Sequence, residues 1–242
     1  MKNGGIKMEN ADIVIPVKWG EHNEELRYCL RSIEKNLPHR NVVIAGYKPK
    51  WVKNVKFISV AMLEQNKYKR VANNILAAAN FPELSDWFIL FNDDMFVVEP
   101  VKSIQTVHRG KLDPMAHIYD SAPLQRKSMI TTLEILIAAG IKDPMNYEVH
   151  SPMMINRHGL LNVEVILRTM SQKRAVWQLR SLYGNLHHIA GEVRHDVKIA
   201  DNASFEYADD FPFISTTDQS FKHGEVGEVI RSRFIEKSKY ER

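Results

Sequence analysis

The 242-residue chain is 44% hydrophobic, enough for one large α/β domain or for one domain with a small helical appendage. Its single cysteine, Cys29, excludes an internal disulfide, and no apolar run suits a signal peptide or reaches the ~20 residues of a membrane span, so a soluble cytoplasmic protein is expected. The net charge of +4 is modest but uneven: eight Lys/Arg face one acid, Glu64, between Arg40 and Arg70, whereas Val71 to Pro100 holds five acids and no Lys/Arg. A second basic stretch, Arg157, Arg168, Lys173, Arg174 and Arg180, is opposed only by Glu164. Solvated faces account for most such runs, and the alternative is a polyanionic partner such as a diphosphate, a phosphate-containing polymer or nucleic acid.

Met1 to Asn10 carries little pattern and reads as a loose tail. Ala11 to Val17 is a short apolar strand. Asn23 then caps a helix with Glu24 and Glu25 in its first turn, Leu26, Leu30, Ile33 and Leu37 at helical spacing, and Pro38 as its stop. Cys29 lies on that apolar face and reads as a buried structural thiol. Asn41 to Ala45 and Val55 to Val60 are two further strands, separated by a Lys48-Pro49-Lys50 turn. A helix over Lys69 to Ala79 leads through Phe81-Pro82 to a strand beginning at Trp87, which completes a βαββαβ order. Beyond Pro100 the alternation weakens. Val101 to Ser128 reads as a long ordered excursion over the cleft, Thr131 to Ala139 as a helix, Tyr147 to Ile155 as a strand and Leu160 to Leu182 as one or two helices.

The most informative stretch is Trp87-Phe-Ile-Leu-Phe91 followed by Asn92-Asp93-Asp94 and then Met95-Phe-Val-Val98. Five bulky residues in a row demand a core, whereas two adjacent carboxylates repel each other and resist burial unless a cation or donors compensate them. The acids therefore belong to a bend between two strands, at the sheet edge where open α/β folds bind ligands. Hard oxygen ligands there suit Mg2+ or Mn2+ bridging a diphosphate, which points to a nucleotide-sugar site. In the second half, His150 before Ser151-Pro152 is a candidate third metal ligand or acceptor contact, and the His195-Asp196 pair with Lys198 competes with it. His187 and His188 are weaker rivals.

Strand, Asn-capped helix, basic connection, helix and Phe-Asn-Asp-Asp-Met-Phe together resemble a GT-A-type glycosyltransferase, whose Asp-x-Asp motif holds a divalent metal against a nucleotide diphosphate. The segment from Asn23 to Leu37, with Phe91 to Phe96, is also similar to Stealth-type capsular polysaccharide phosphotransferases. Small glycosyltransferase-like proteins of bacteriophages are resembled over most of the chain, through Thr131 to Gly140, Tyr147 to Pro152, Tyr183 to Asn185 and Asp196 to Lys198. The resemblance implies a single GT-A-like (Rossmann-like) α/β domain with a central mixed sheet. Residues 11–100 would form the nucleotide-sugar half and 101–242 an acceptor side with a helical C-terminal segment. Two departures stand out: the first motif position is Asn92, and Pro16-Val-Lys-Trp-Gly20 lacks the acid of the Stealth opening motif, which favours sugar transfer over sugar-1-phosphate transfer.

The implied roles follow. Asp94 is the direct metal ligand, Asn92 faces the ribose or the metal, and Asp93 faces the sugar hydroxyls or the groups around the metal's ligands. His195 is the late metal-binding histidine and Lys198 the phosphate-binding lysine. Pro16 and the loop after it bound the base pocket, with Arg27, Lys69, Arg70, Asn73 and Asn74 on the nucleotide, a UDP-sugar being favoured. Inverting transfer requires a base, with Asp196 first and Glu148 and Asp210 behind it, whereas retaining transfer requires no such base, and the sequence is compatible with either. The acceptor is a glycan or a hydroxylated base of phage DNA, and the alternative from another class is a noncatalytic nucleotide- or glycan-binding module.

Overall fold

The computed structural model describes residues 7–61, 66–113, 122–169, 176–201, 203–205 and 211–242. Strands β1 (Asp12–Val17), β2 (Val42–Gly46), β3 (Lys56–Ser59) and β4 (Trp87–Leu90) run parallel, joined by α1 (Glu24–Asn36) between β1 and β2 and α2 (Lys67–Ala79) between β3 and β4. The acidic turn separates β4 from β5 (Met95–Val97), and β6 (Val107–His108) and α3 (Pro123–Ala138) follow. β7 (Met153–Asn156) then pairs antiparallel with β4, giving a mixed sheet in the order β3-β2-β1-β4-β7. Side chains alternate across this sheet, and with helices on either side its inner strands β1 and β2 are buried on both faces, whereas the edge strand β3 is partly exposed. Ile13, Ile15 and Ile44 pack with Leu26, Leu30 and Ile33 of α1, whereas Val14, Val43 and Phe88 pack with Ala72, Ile75 and Ala79 of α2.

The second half adds α4 (Arg157–Thr169), α5 (Leu179–Leu186), β8 (Glu192–Val193), β9 (Lys198–Ile199), β10 (Phe213–Thr216), α6 (Asp218–His223) and α7 (Glu225–Arg233). β10 lies between β5 and β9 in a small sheet that brings the C-terminal half against the acidic turn. Three sequence expectations change. The supposed excursion before Ser128 contains β6 and the first turns of α3, because Pro123 opens that helix at its first position, where no N–H is needed. Of the expected 147–155 strand only Met153 to Ile155 is paired, and the pairing runs on to Asn156. Met8 is buried within a short 3-10 turn rather than belonging to a loose tail. Asp210, Lys173 and Arg174 lie outside the described residues. No helix among the described residues is long and apolar enough to cross a membrane.

Two buried carboxylates anchor the frame. Asp12, fully buried at the start of β1, accepts from the Arg40 fork at 2.8 and 2.5 Å, from Asn41 at 3.0 Å and from the Ser85 N–H at 3.0 Å. Against the upward push of burial, these donors hold its carboxyl below the usual range. Glu241 takes Arg31 at 2.7 and 2.8 Å and Arg27 at 2.8 Å, which clamps the segment after α7 onto α1. Burial opposes that clamp, but the arginines and the Ser238 N–H win and depress the Glu241 carboxyl to about 2. A depressed carboxyl stabilises the fold above its unfolded value and loses that contribution as pH falls through the folded one. Glu241→Gln is therefore expected to lose about 3–5 kcal/mol in urea unfolding at pH 7, with wild type and variant converging as the pH approaches 2.

Candidate active site

Phe91 donates its N–H to the Val14 carbonyl at 2.9 Å, and beyond that bond the chain after β4 turns away while β1 continues along β2 to Val17 and Gly46. In a parallel sheet alternate residues address the same neighbour, so Pro16, like Val14, faces the β4 side. Its missing N–H falls where no β4 partner remains, and a proline is tolerated in a central strand for that reason. The strand order also reverses here, which opens the crevice where ligands bind in α/β sheets. On the other flank of β1, Gly46 adopts φ +112°, and a Cβ there would stand 2.4 Å from the Asn74 amide. Asn74 is thus buried against the end of β2, whereas Asn73, one position earlier, is exposed.

The acids occupy the crevice. Asp93 accepts from Asn23 Nδ2 at 2.8 Å, and the other end of the same amide accepts the Leu26 N–H at 3.1 Å, so one side chain caps α1 and holds the acidic turn. Asp94 Oδ2 receives Lys198 Nζ at 2.7 Å; its Oδ1 is buried with no hydrogen-bond partner among the described residues. Glu25 accepts from Thr216 Oγ1 at 2.8 Å and lies beside Asp218, which Lys18 meets at 3.4 Å. Burial, followed by the Asp94 charge, pushes Asp93 up to about 6 against the pull of Asn23 and Lys18. Burial, with the neighbouring Asp94 and Asp218, raises Glu25 to about 8. The crevice thus holds more carboxylate than its lysines neutralise. Those hard oxygens, with the orphaned Asp94 Oδ1, fit Mg2+ or Mn2+ held by Asp93 and Asp94. Among the described residues no three His, Cys, Asp or Glu side chains converge as a ready metal cage.

Beside the acids, Asp196 takes His150 Nδ1 at 2.8 Å and the His150 N–H at 3.0 Å, with Arg109 at 3.6 Å. Burial raises the Asp196 carboxyl, but His150 and Arg109 outweigh it and leave it below the usual range. That carboxylate is a poor proton acceptor; it orients His150, whose Nε2 is the ring nitrogen left for the adjoining cavity. The cavity, about 210 Å³, is lined by Asn92, Glu148, His150, Trp177, Gln178 and Arg180, with Lys67, Tyr68 and apolar side chains of α2. Glu148 accepts the Ser181 N–H at 3.1 Å, and burial raises its carboxyl.

The remaining expected residues distribute unevenly. His195 is exposed and next in sequence to Asp196, and Lys69 and Arg70 are half-buried on α2. Arg27 is committed to Glu241 and stacks 4.3 Å over Trp51. His187 bonds the Gly159 carbonyl at 2.8 Å and packs on Tyr183, which is a structural role. Sequence reasoning missed Lys18, Asp218 and Arg180 as site residues and read Glu25 only as a helix-dipole acid; β10 and α6, which supply Thr216 and Asp218, gave no sequence signal.

A raised Asp93 carboxyl means that folding favours its protonated form, so its ionisation erodes stability as pH rises from 3.8 toward 6. Asp93→Asn retains an oxygen for Asn23 and removes that charge. The variant is expected to be about 1–3 kcal/mol more stable than wild type at pH 7.5 and equal to it below pH ~4, as read by chemical unfolding across pH.

No protein-family model matches the chain. It is 37% identical over 97 residues to a capsular polysaccharide phosphotransferase of Neisseria meningitidis serogroup B, which covers 36% of this chain and 26% of that protein. It is 34% identical over 138 residues to the capsular polysaccharide phosphotransferase fcs1 of Haemophilus influenzae, covering 53% and 35%. The chain therefore spans about a quarter to a third of the length of the curated relatives it matches. Among solved structures, the galactosyltransferase LgtC in complex with donor and acceptor sugar analogs superposes with TM-score 0.54 at 11% identity, covering 94% of this chain and 98% of that one. An active-site variant of LgtC gives 0.52 over the same shares. The chain thus has the GT-A fold of a galactosyltransferase and local sequence similarity to capsular polysaccharide phosphotransferases.

Proposed function

We propose that this chain is a glycosyltransferase that moves a sugar from a nucleotide-diphosphate sugar, a UDP-sugar being favoured, to a hydroxyl of a glycan. The observation that carries the reading is the pair Asp93 and Asp94 at the β1–β4 crevice, with one Asp94 oxygen on Lys198 and the other buried without a partner among the described residues. The nucleotide would lie along the ends of β1 and β2, against Pro16 and α2, with Asn92 toward the ribose and Lys69 and Arg70 toward the phosphates. A divalent cation bound by Asp93 and Asp94 would offset the charge that grows on the leaving diphosphate. Lys198 contributes to the same end from the protein itself.

His150 takes the base role in place of Asp196. Its Nε2 accepts the proton of the acceptor hydroxyl while Asp196 holds Nδ1–H and supports the imidazolium. The acceptor oxygen bonds to the anomeric carbon as the bond from that carbon to the diphosphate oxygen breaks, and the electron pair leaves on the nucleoside diphosphate. A glycan is favoured over DNA because basic residues of the two basic stretches are engaged within the chain. Arg40 binds Asp12, Lys56 binds Glu83, Arg157 binds the Leu84 carbonyl, Arg168 binds Glu164, and Arg180 binds the Ser151 carbonyl.

A second reading, sugar-1-phosphate transfer, is favoured by the names of the relatives and by Asp218, which brings a carboxylate beside Lys18 where Pro16 to Gly20 has none of its own. There the acceptor oxygen attacks the sugar-bearing phosphorus and a nucleoside monophosphate leaves. Thermal-shift titration with UDP-, GDP-, CMP- and dTDP-sugars, with and without Mn2+, is expected to show selective Mn2+-dependent stabilisation that Asp94→Ala loses; a ligand at ~100 times its Kd adds about 2.7 kcal/mol. Chromatography of the spent nucleotide then decides the chemistry: a diphosphate product supports glycosyl transfer, and a monophosphate overturns it for the second reading. His150→Ala is expected to lower kcat by roughly 10²–10⁴ with little change in KM.

A further inference from the structure

The cavity beside His150 has an unusual wall. Trp177 Nε1, Gln178 Oε1 and Arg180 Nη2, clustered within four consecutive residues, are each buried with no hydrogen-bond partner among the described residues. Buried polar groups are ordinarily paired, since desolvation without a partner is unfavourable. The segment is nonetheless fixed in place. The Gln178 N–H donates to Thr132 Oγ1 at 2.8 Å, Arg180 Nη1 donates to the Ser151 carbonyl at 2.5 Å, and the Ser181 N–H donates to Glu148 at 3.1 Å. These anchored residues line the cavity and carry two unserved donors and one unserved acceptor, which a small side-chain rotation would turn to a ligand that both accepts and donates hydrogen bonds.

The rest of the lining narrows the class. Val71, Ile75 and Leu179 supply an apolar side, and Trp177 and Tyr68 supply rings. The Arg180 charge is faced by Glu148, Asp94 and Asp196, so the wall offers hydrogen bonds without surplus positive charge for an anion. At about 210 Å³ the cavity is smaller than the ~300 Å³ at which drug-sized pockets begin, and suits a single ring. We propose that this cavity is the acceptor subsite and holds one neutral pyranose of the glycan, its C–H face on Val71, Ile75 and Leu179 and its hydroxyls on Trp177, Gln178 and Arg180. The ring thereby presents a hydroxyl to His150. This assignment rests on the transferase reading and names its acceptor.

The test is saturation-transfer NMR on the full chain, without nucleotide or metal, using methyl glycosides of glucose, galactose and N-acetylglucosamine, with methyl glucuronide as the acidic probe. At least one neutral glycoside is expected to bind. Trp177→Phe and Gln178→Met, each with unchanged circular dichroism and Tm, should weaken that binding at least ~10-fold. If either variant fails to fold, the other alone carries the comparison, with Gln178→Glu as its conservative partner. Absence of binding by every neutral glycoside, preference for the glucuronide, or undiminished binding in the folded variants overturns the proposal. Nucleotide-sugar stabilisation of the same samples reports the donor reading separately, so loss of one leaves the other legible.

Discussion

The site depends on the parting of β1 and β4. Two buried parallel strands share a ladder as far as Val14 and Leu90 and then separate, one toward Pro16 and Val17, the other into the acidic turn. Everything polar in the crevice is arranged around that fork. Asn23 spans it, joining the first turn of α1 to Asp93. β5 continues from the turn and recruits β10, whose end carries Thr216 to Glu25 and leads into Asp218, while β9 brings Lys198 to Asp94. Remote parts of the chain thus reach one place because a short strand leaves a sheet at a particular residue.

The electrostatics divide along the same fork. At the opposite end of β1, Asp12 is fully satisfied by four donors and stays ionised, as a structural carboxylate must. In the crevice Asp93 and Glu25 are under-satisfied, and their affinity for protons rises. An acid that is destabilised in the free protein and relieved by a cation or an anion-bearing ligand with its counterions is characteristic of binding sites rather than of frameworks. Asp196 shows the intermediate case, a carboxylate whose donors come from a histidine and an arginine. Its lowered proton affinity is the reason the proposed base is His150 and not the aspartate.

Much of the first half was legible from local chemistry. Short continuous apolar runs, the Asn23 cap, the helical spacing of Leu26, Leu30 and Ile33, and the abrupt Asn-Asp-Asp each have a physical meaning that needs no tertiary information. The second half resisted for equally physical reasons. β8 and β9 are two residues each and exposed or half-buried, so they carry no periodicity. Pro123 reads as a breaker unless its place at the start of α3 is known. Arg180 looks like one more member of a basic stretch, and only its burial between Glu148 and the Ser151 carbonyl separates it from a surface charge. Arg27 illustrates the reverse error, since its partner Glu241 lies far along the chain and no local pattern reveals the pairing.

Cys29 offers a vantage point on the whole assembly. It is the chain's single thiol, wholly buried in α1, and its Sγ lies 3.5 Å from the Asn92 carbonyl, directly beneath the acidic turn. Burial raises its proton affinity and keeps it unreactive. A soluble alkylating reagent reaches it only when α1 and the turn part company. The molecule therefore contains its own clock for breathing at the fork, and the rate at which the thiol becomes modified measures how tightly the α1 side of the crevice is held shut.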